Sequence, residues 1–244
     1  MNLAGFEHSP EALLRAVQHW EARHSTTPDS PSGVLPRFTI ALSREVGARS
    51  TSVGREIGLR LNWPVYDNEL LQKIAEEMHV RVNLLQSVDE RHVSWLQESV
   101  EAFASVPSVR EAAFVRQLVE TLLSLGIHGQ CVIVGRGAPQ VLPKPTTLRV
   151  RVIAELEDRI NVMSQELRMS HRDAARYVET HERQRIAFIK DHFQKDPTDS
   201  LNYDLVLNSS TFTVTECAEL AIQALHQLEA AKQRETSAPL PATA

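Results

Sequence analysis

The segment SREVGARSTSVGREIG (43–58) holds the residue types best suited to gripping an anion. It follows a short apolar run and opens a helical pattern. At such a junction unpaired backbone N–H groups and the positive end of the helix dipole can surround a phosphate. Gly47 permits a tight turn, and Ser50, Thr51 and Ser52 supply three consecutive hydroxyls of the kind that holds Mg²⁺ beside bound phosphates. Gly54 and Gly58, four apart, allow the helix to pack closely on a sheet. Against the pattern G-x-x-x-x-G-K-[ST] the segment departs: Arg44 and Arg49 stand at the two glycines and Ser50 at the lysine. The same residues also fit an ordinary strand-to-helix turn whose Ser or Thr is an N-cap. Taken alone, the loop does not choose between the two.

Other chemistries have no anchor. No C-x-x-C, H-E-x-x-H or close His/Cys cluster offers metal-ligand spacing, and the ten histidines are scattered. No G-x-S-x-G elbow presents a nucleophile, and G-R-G at 135–137 is too short for a dinucleotide fingerprint.

The elements that must position the loop alternate. Short apolar runs at 38–43, 63–67, 131–134, 148–154 and 203–208 read as strands. Between them lie helical patterns: Val53, Ile57 and Leu61 after the first run, residues 68–80 after the second, and 82–128 throughout, with Phe114, Leu118, Leu122 and Leu125 on one stripe. Residues 155–167, one or two charged helices over 170–194, and 214–230 complete the series. Strands alternating with helices predict an α/β fold with a parallel sheet covered on both faces. Ligands in such folds bind where the carboxyl ends of the strands meet the following loops. Residues 1–36, a helix with Leu13, Leu14, Val17 and Trp20 on one face followed by a Pro-rich linker, read as an appendage. Residues 231–244 read as a polar, disordered tail, leaving 37–230 as the main domain.

From Phe38 to Leu228 the ordered series SREVGARSTSVGREIG, LNWPVYDNELL, VIVGRGA, ELEDRI, ERQRIAFIKDHF and YDLVLN resembles the cytidylate kinase-like family, within the P-loop nucleoside monophosphate kinases. The resemblance implies a three-layer fold with a five-stranded parallel sheet, a helical insertion that binds the acceptor, and a lid. It implies transfer of the γ-phosphoryl group of ATP, with Mg²⁺, to a nucleoside monophosphate of the CMP type or another small phosphorylated acceptor. Such chemistry is mostly positioning and neutralisation of phosphate charge.

The resemblance also assigns residues. Arg136, in the position of the family's G-R-D arginine, would grip the acceptor phosphate in bidentate fashion, or be a plain turn arginine. The lid's D-x-x-R is matched by Glu182-x-x-Arg185, which share a helix face, with Arg183 beside them closing over the phosphates. A solvated face with a weak ion pair fits that pattern too. Gly47, Ser50, Thr51 and Ser52 would hold ATP, with Thr51 and Ser52 on Mg²⁺, and Arg44 or Arg49 would replace the missing lysine. Asp67, ending the second strand, either contacts the acceptor or caps the next helix. Arg159 stands at i,i+4 spacing from Glu155 and is expected to pair with it. Gly137 stands where the G-R-D aspartate would meet the nucleoside. With no loop lysine and no such aspartate, a non-catalytic nucleotide-binding regulator is the alternative function.

Composition sets the partners. The 244 residues carry a net charge of −5, which opposes binding to nucleic acid through broad positive charge. Locally the sign reverses: four Arg against two Glu over 43–60, and ten Lys or Arg against eight acidic residues over 149–195. That suits one small anionic ligand. No apolar run reaches the length of about 18 residues a membrane helix needs, and the first residues are too polar and acidic for a signal peptide. Two cysteines make no disulfide framework, so a cytoplasmic setting is expected. The N-terminal helix would be the place for self-association or a partner.

Overall fold

The computed structural model describes residues 37–67 and 109–237. The expected N-terminal helix and linker, the helix over 68–80 and the first part of 82–128 lie outside the described residues. The five apolar runs form five parallel strands: β1 (Thr39–Arg44), β2 (Val65–Tyr66), β3 (Val132–Val134), β4 (Thr147–Ile153) and β5 (Leu205–Asn208). Their order is β2-β3-β1-β4-β5, with Leu42 of β1 opposite Val134 on one side and Val150 on the other. Among the described residues the helices are α1 (Ser50–Leu61), α2 (Val109–His128), α3 (Ala138–Val141), α4 (Leu156–Leu167), α5 (His171–Phe193) and α6 (Val214–Ser237).

Successive strand residues point to opposite faces, so each face collects its own core. On one face Ile40, Leu42, Val132 and Val150 meet Val53 and Ile57 of α1 and Ala218, Ala221 and Leu225 of α6. On the other, Ala41, Ile133 and Tyr66 meet Leu118 and Leu122 of α2 and Ile189 and Phe193 of α5. Each fully buried aliphatic side chain contributes about 1.5–3 kcal/mol, and the sheet becomes the middle of three layers. A third cluster of Val46, Ile160, Met163, Ala174 and Val178 ties the β1–α1 loop to α4 and α5, which sets α5 over the loop ends of the sheet.

Close approach fixes α1. A Cβ at Gly54 would lie 2.8 Å from Val134 Cγ2, and one at Gly58 would lie 2.8 Å from the Trp63 carbonyl oxygen. Two long polar helices begin at capping residues. Asp173 N–H donates to Ser170 Oγ (3.2 Å) at the start of α5. At α6, Glu216 N–H donates to Thr213 Oγ1 (3.2 Å) and Thr213 N–H donates to Glu216 Oε2 (2.8 Å), a reciprocal capping box.

Two boundaries depart from expectation and one open alternative is resolved. Strand β2 starts after Pro64, which lacks the N–H a strand needs. The charged stretch over 170–194 is one helix, α5. Helix α6 continues to Ser237, into the segment expected to be tail, because Ala, Lys, Gln, Arg and Glu at 231–235 all favour helix. Cys131 and Cys217 are buried in separate clusters and unbridged. Among the described residues no helix is long and apolar enough to cross a membrane.

Candidate functional site

Strand β1 ends at Arg44, and the chain turns through Gly47 at φ +82°, where a Cβ would lie 2.5 Å from the Arg159 carbonyl oxygen. Glycine is required there both by the left-handed backbone and by the close approach of α4. Helix α1 then starts without a side-chain cap, its N-cap residue Arg49 being left-handed at φ +55°. Its first-turn N–H donors are therefore not taken by a capping side chain. Ser50 is 2% exposed, and its Oγ has no hydrogen-bond partner among the described residues. A buried hydroxyl left unpaired costs about 1–3 kcal/mol, which an accepting ligand atom would offset. Arg44 Nη1 donates to Thr51 Oγ1 at 2.8 Å. Arg55 and Asp67 pair at 3.5 Å, and with the loop they line a cavity of about 340 Å³.

A second cavity, of about 560 Å³, lies between the ends of β1, β3 and β4 and helix α5. After β3 three successive residues take left-handed backbone: Gly135 (φ +85°), Arg136 (φ +52°) and Gly137 (φ +77°). A non-glycine residue held in that region costs about 1–3 kcal/mol and persists only where its surroundings impose it. Here the reversal directs Arg136 into the cavity, its Cζ 6.0 Å from the Phe188 ring centroid. A Cβ on Gly137 would strike the Phe193 ring, with Cδ2 at 2.7 Å. That is the physical content of glycine replacing aspartate: the ring occupies the space.

Arg185 projects from α5 into both cavities, and its Nη1 is buried without a hydrogen-bond partner among the described residues. Burial, together with the Arg44 charge, pushes the Arg185 guanidinium down to about 10, while Glu182 pulls the other way. Arg136 is lowered by the same two causes, burial first. Both stay charged at neutral pH. Three cations raising one another's energy around a cavity are stabilised by an anion entering it.

The two cavities share Arg44, Tyr177 and Arg185. The structure therefore brings Gly47, Ser50, Thr51, Ser52 and Asp67 to one side of Arg44 and Arg185, and Arg136 to the other. Arg49, the other candidate to replace a lysine, is exposed on the rim of the loop cavity. Arg183 is not brought in. It lies on the solvent side of α5, paired with Glu179 at 2.7 Å between two exposed side chains, so the expected cofactor contact is replaced by a surface ion pair. Glu182 lines the 560 Å³ cavity, yet its Oε2 accepts from Val46 N–H (2.8 Å) and Arg159 Nη1 (3.3 Å). This gives it a positioning role, where the resemblance implied a substrate contact. Arg159 does not turn to Glu155; it reaches Glu182 and, at 3.7 Å, Glu45.

Two contributors escaped the sequence reading. Glu45 accepts from Arg151 Nη2 (3.1 Å) and Ala154 N–H (3.2 Å), and Arg151 also donates to the Pro197 carbonyl oxygen and lies over the Tyr203 ring. Arg151, Glu45, Arg159 and Glu182 thus alternate in charge from the α5 cavity through the loop to α5. The available signal was LRVRV in β4, an alternating pattern in a strand with neighbours on both sides, which places Arg149 and Arg151 inside.

The hydroxyls expected to hold Mg²⁺ fit it poorly. Thr51 Oγ1 already carries the Arg44 guanidinium, and Ser52 is exposed. With a Mg–O distance of about 2.1 Å, a cation on Thr51 Oγ1 would sit no more than about 5 Å from Arg44 Nη1. At an effective dielectric constant of about 20 that is a repulsion of about 7 kcal/mol. Asp67, which lines the loop cavity with Glu45 and Glu166, is held by Arg55.

An uncharacterized protein from Eubacterium ventriosum ATCC 27560 superposes with a TM-score of 0.64 at 18% identity, covering 78% of this chain and 99% of that one, which shows the fold. Shikimate kinase from Bacteroides thetaiotaomicron aligns at 16% identity over 78% of this chain and 97% of its own, with a TM-score of 0.43. TT1252 from Thermus thermophilus aligns at 18% identity over 78% and 97%, with a TM-score of 0.44. No curated protein matches the sequence significantly. The model of the cytidylate kinase-like family matches residues 39–211, which include the loop, Arg136 and both ends of α5. With its five-stranded parallel sheet and its loop in that register, the chain belongs to the cytidylate kinase-like family.

Proposed function

We propose that the chain transfers the γ-phosphoryl group of ATP to a nucleoside monophosphate of the CMP type or another small phosphorylated acceptor. One observation carries the reading: a cavity over an uncapped helix N-terminus and a cavity holding Arg136 meet at Arg44 and Arg185. In this reading the ATP phosphates lie on Gly47, Ser50, Thr51 and Ser52. The acceptor phosphate lies on Arg136, and its oxygen attacks the γ-phosphorus as the bond to ADP breaks. Arg44 and Arg185 flank that phosphorus and neutralise the charge spread over its oxygens. Mg²⁺ finds no seat at Thr51 while Arg44 holds that hydroxyl, so charge neutralisation in this reading falls to the arginines. The test is incubation of the purified chain with ATP, Mg²⁺ and a panel of nucleoside monophosphates, with products separated by chromatography. Transfer that disappears in Arg136→Ala is expected; no transfer and no ATP binding would overturn the proposal.

A second reading, a nucleotide-binding regulator without turnover, is favoured by Ser50 in the place of a lysine and by the Phe193 ring against Gly137. It expects a rise in melting temperature with ATP or CMP and no product. Turnover that depends on Arg136 would reject it.

A further inference from the structure

We propose that the loop binds a free nucleoside triphosphate, without a divalent cation, because the Arg44 guanidinium holds the Thr51 hydroxyl that a loop-bound metal would use. The inference rests on the nucleotide-binding part of the function above and deepens it by naming the form of the ligand.

Two independent features make an anion seat. Helix α1 starts without a side-chain cap, and Ser50, 98% buried on the 2% exposure that remains, has an Oγ without a partner among the described residues. The positive charge at that seat comes from Arg44, whose Nη1 lies 2.8 Å from Thr51 Oγ1 and which lines both cavities. A divalent cation does two things for a triphosphate: it neutralises charge and it fixes the geometry of the oxygens. A guanidinium held at one end by Thr51 does both, because its planar fork bonds two oxygens at once.

Two of the three carboxylates that line the loop cavity, the third being Glu166, are already engaged. Glu45 is bonded to Arg151 and Ala154 N–H and faces Arg159, and Asp67 is paired with Arg55. Arg185, on the far side of the seat, carries a second positive charge that a metal would have to oppose. Arg49 does not share the role: it is exposed and forms the N-cap of α1.

The experiment is isothermal titration of the full chain with the non-hydrolysable ATP analogue AMP-PNP, once in excess Mg²⁺ and once in excess EDTA. The wild-type dissociation constants are expected to agree within about threefold, or to be tighter in EDTA. Arg44→Gln keeps a donor for Thr51 and removes the charge. It is expected to weaken binding in EDTA by about tenfold or more, and added Mg²⁺ is expected to restore part of that loss. Wild-type binding that weakens tenfold or more in EDTA overturns the inference and leaves the phosphoryl-transfer reading standing. Absence of binding in both buffers overturns both. The decisive comparison uses the wild-type chain alone, so a poorly folded variant does not blunt it.

Discussion

The two cavities on either side of Arg44 and Arg185 are built on different principles. The loop cavity comes within one charge of balance: Arg44, Arg49, Arg55 and Arg185 face Glu45, Asp67 and Glu166, and the decisive donors are a helix start and a buried hydroxyl. The α5 cavity does not balance: Arg44, Arg136, Arg151 and Arg185 face Glu182 alone among the described acidic residues, and Phe188, Ile186 and Ile189 add an apolar wall. A backbone seat reads a phosphate chain whatever is attached to it. A cationic cavity with an aromatic wall reads an anion joined to an organic body. The difference suits a shared donor and a selective acceptor.

The largest expected effect tests the junction. Arg185→Ala removes one of the two arginines common to both cavities, and loss of one charge-stabilising donor costs about 10²–10³-fold in kcat. Steady-state kinetics with ATP and the best acceptor would read it. A loss confined to the KM of one substrate would place Arg185 in one cavity only and break the symmetry argued above.

Next is the α5 cavity, the acceptor side of the proposed reaction. Gly137→Asp restores the family's G-R-D but requires a side chain at φ +77° and a collision with Phe193. Left-handed strain and overpacking together predict a loss of about 2–5 kcal/mol, measured by denaturant unfolding. In a double-mutant cycle Gly137→Asp should cost less in a Phe193→Ala background than in the wild type, because the ring is the obstacle; an equal cost would mean that backbone strain alone sets it.

These two sites also show how far the sequence could be read. The strands were legible because parallel strands buried on both faces leave short, mostly apolar runs, and Arg136 because it follows such a run directly. The Phe193–Gly137 contact was not, since it depends on how α5 crosses the sheet. Glu45 and Arg151 are 106 positions apart, and no local pattern links such partners. The choice between Arg183 and Arg185 was legible in principle: Val178, Ile189 and Phe193 set the buried phase of α5, and Arg185 shares it while Arg183 stands about 200° away.

A smaller effect separates stability from function. Arg185 is held down to about 10 by burial and by Arg44, so its charge destabilises the ligand-free fold. For a cation whose pKa is lowered on folding, that cost is present in full below about pH 10 and is relieved only as pH rises through it. Arg185→Met should therefore raise the ligand-free stability at neutral pH by about 1–3 kcal/mol, in the range seen when buried charges give way to apolar side chains. The same variant should lose the thermal shift produced by ATP. A destabilised Arg185→Met would mean that the Glu182 attraction outweighs burial.

The smallest expected effect is the sharpest control. Arg183 lies two positions from Arg185 on the same helix and carries the same charge, but its side chain is 75% exposed and pairs with an equally exposed Glu179. Exposed i,i+4 pairs contribute about 0.3–0.5 kcal/mol, so Arg183→Ala should shift stability by no more than that and leave kcat/KM unchanged. If electrostatic attraction across the whole helix face governed ligand binding, the two arginines would respond alike. If the buried geometry of the junction governs it, only Arg185 will respond. Parallel titration of both alanine variants with ATP decides between a charged surface and a built site.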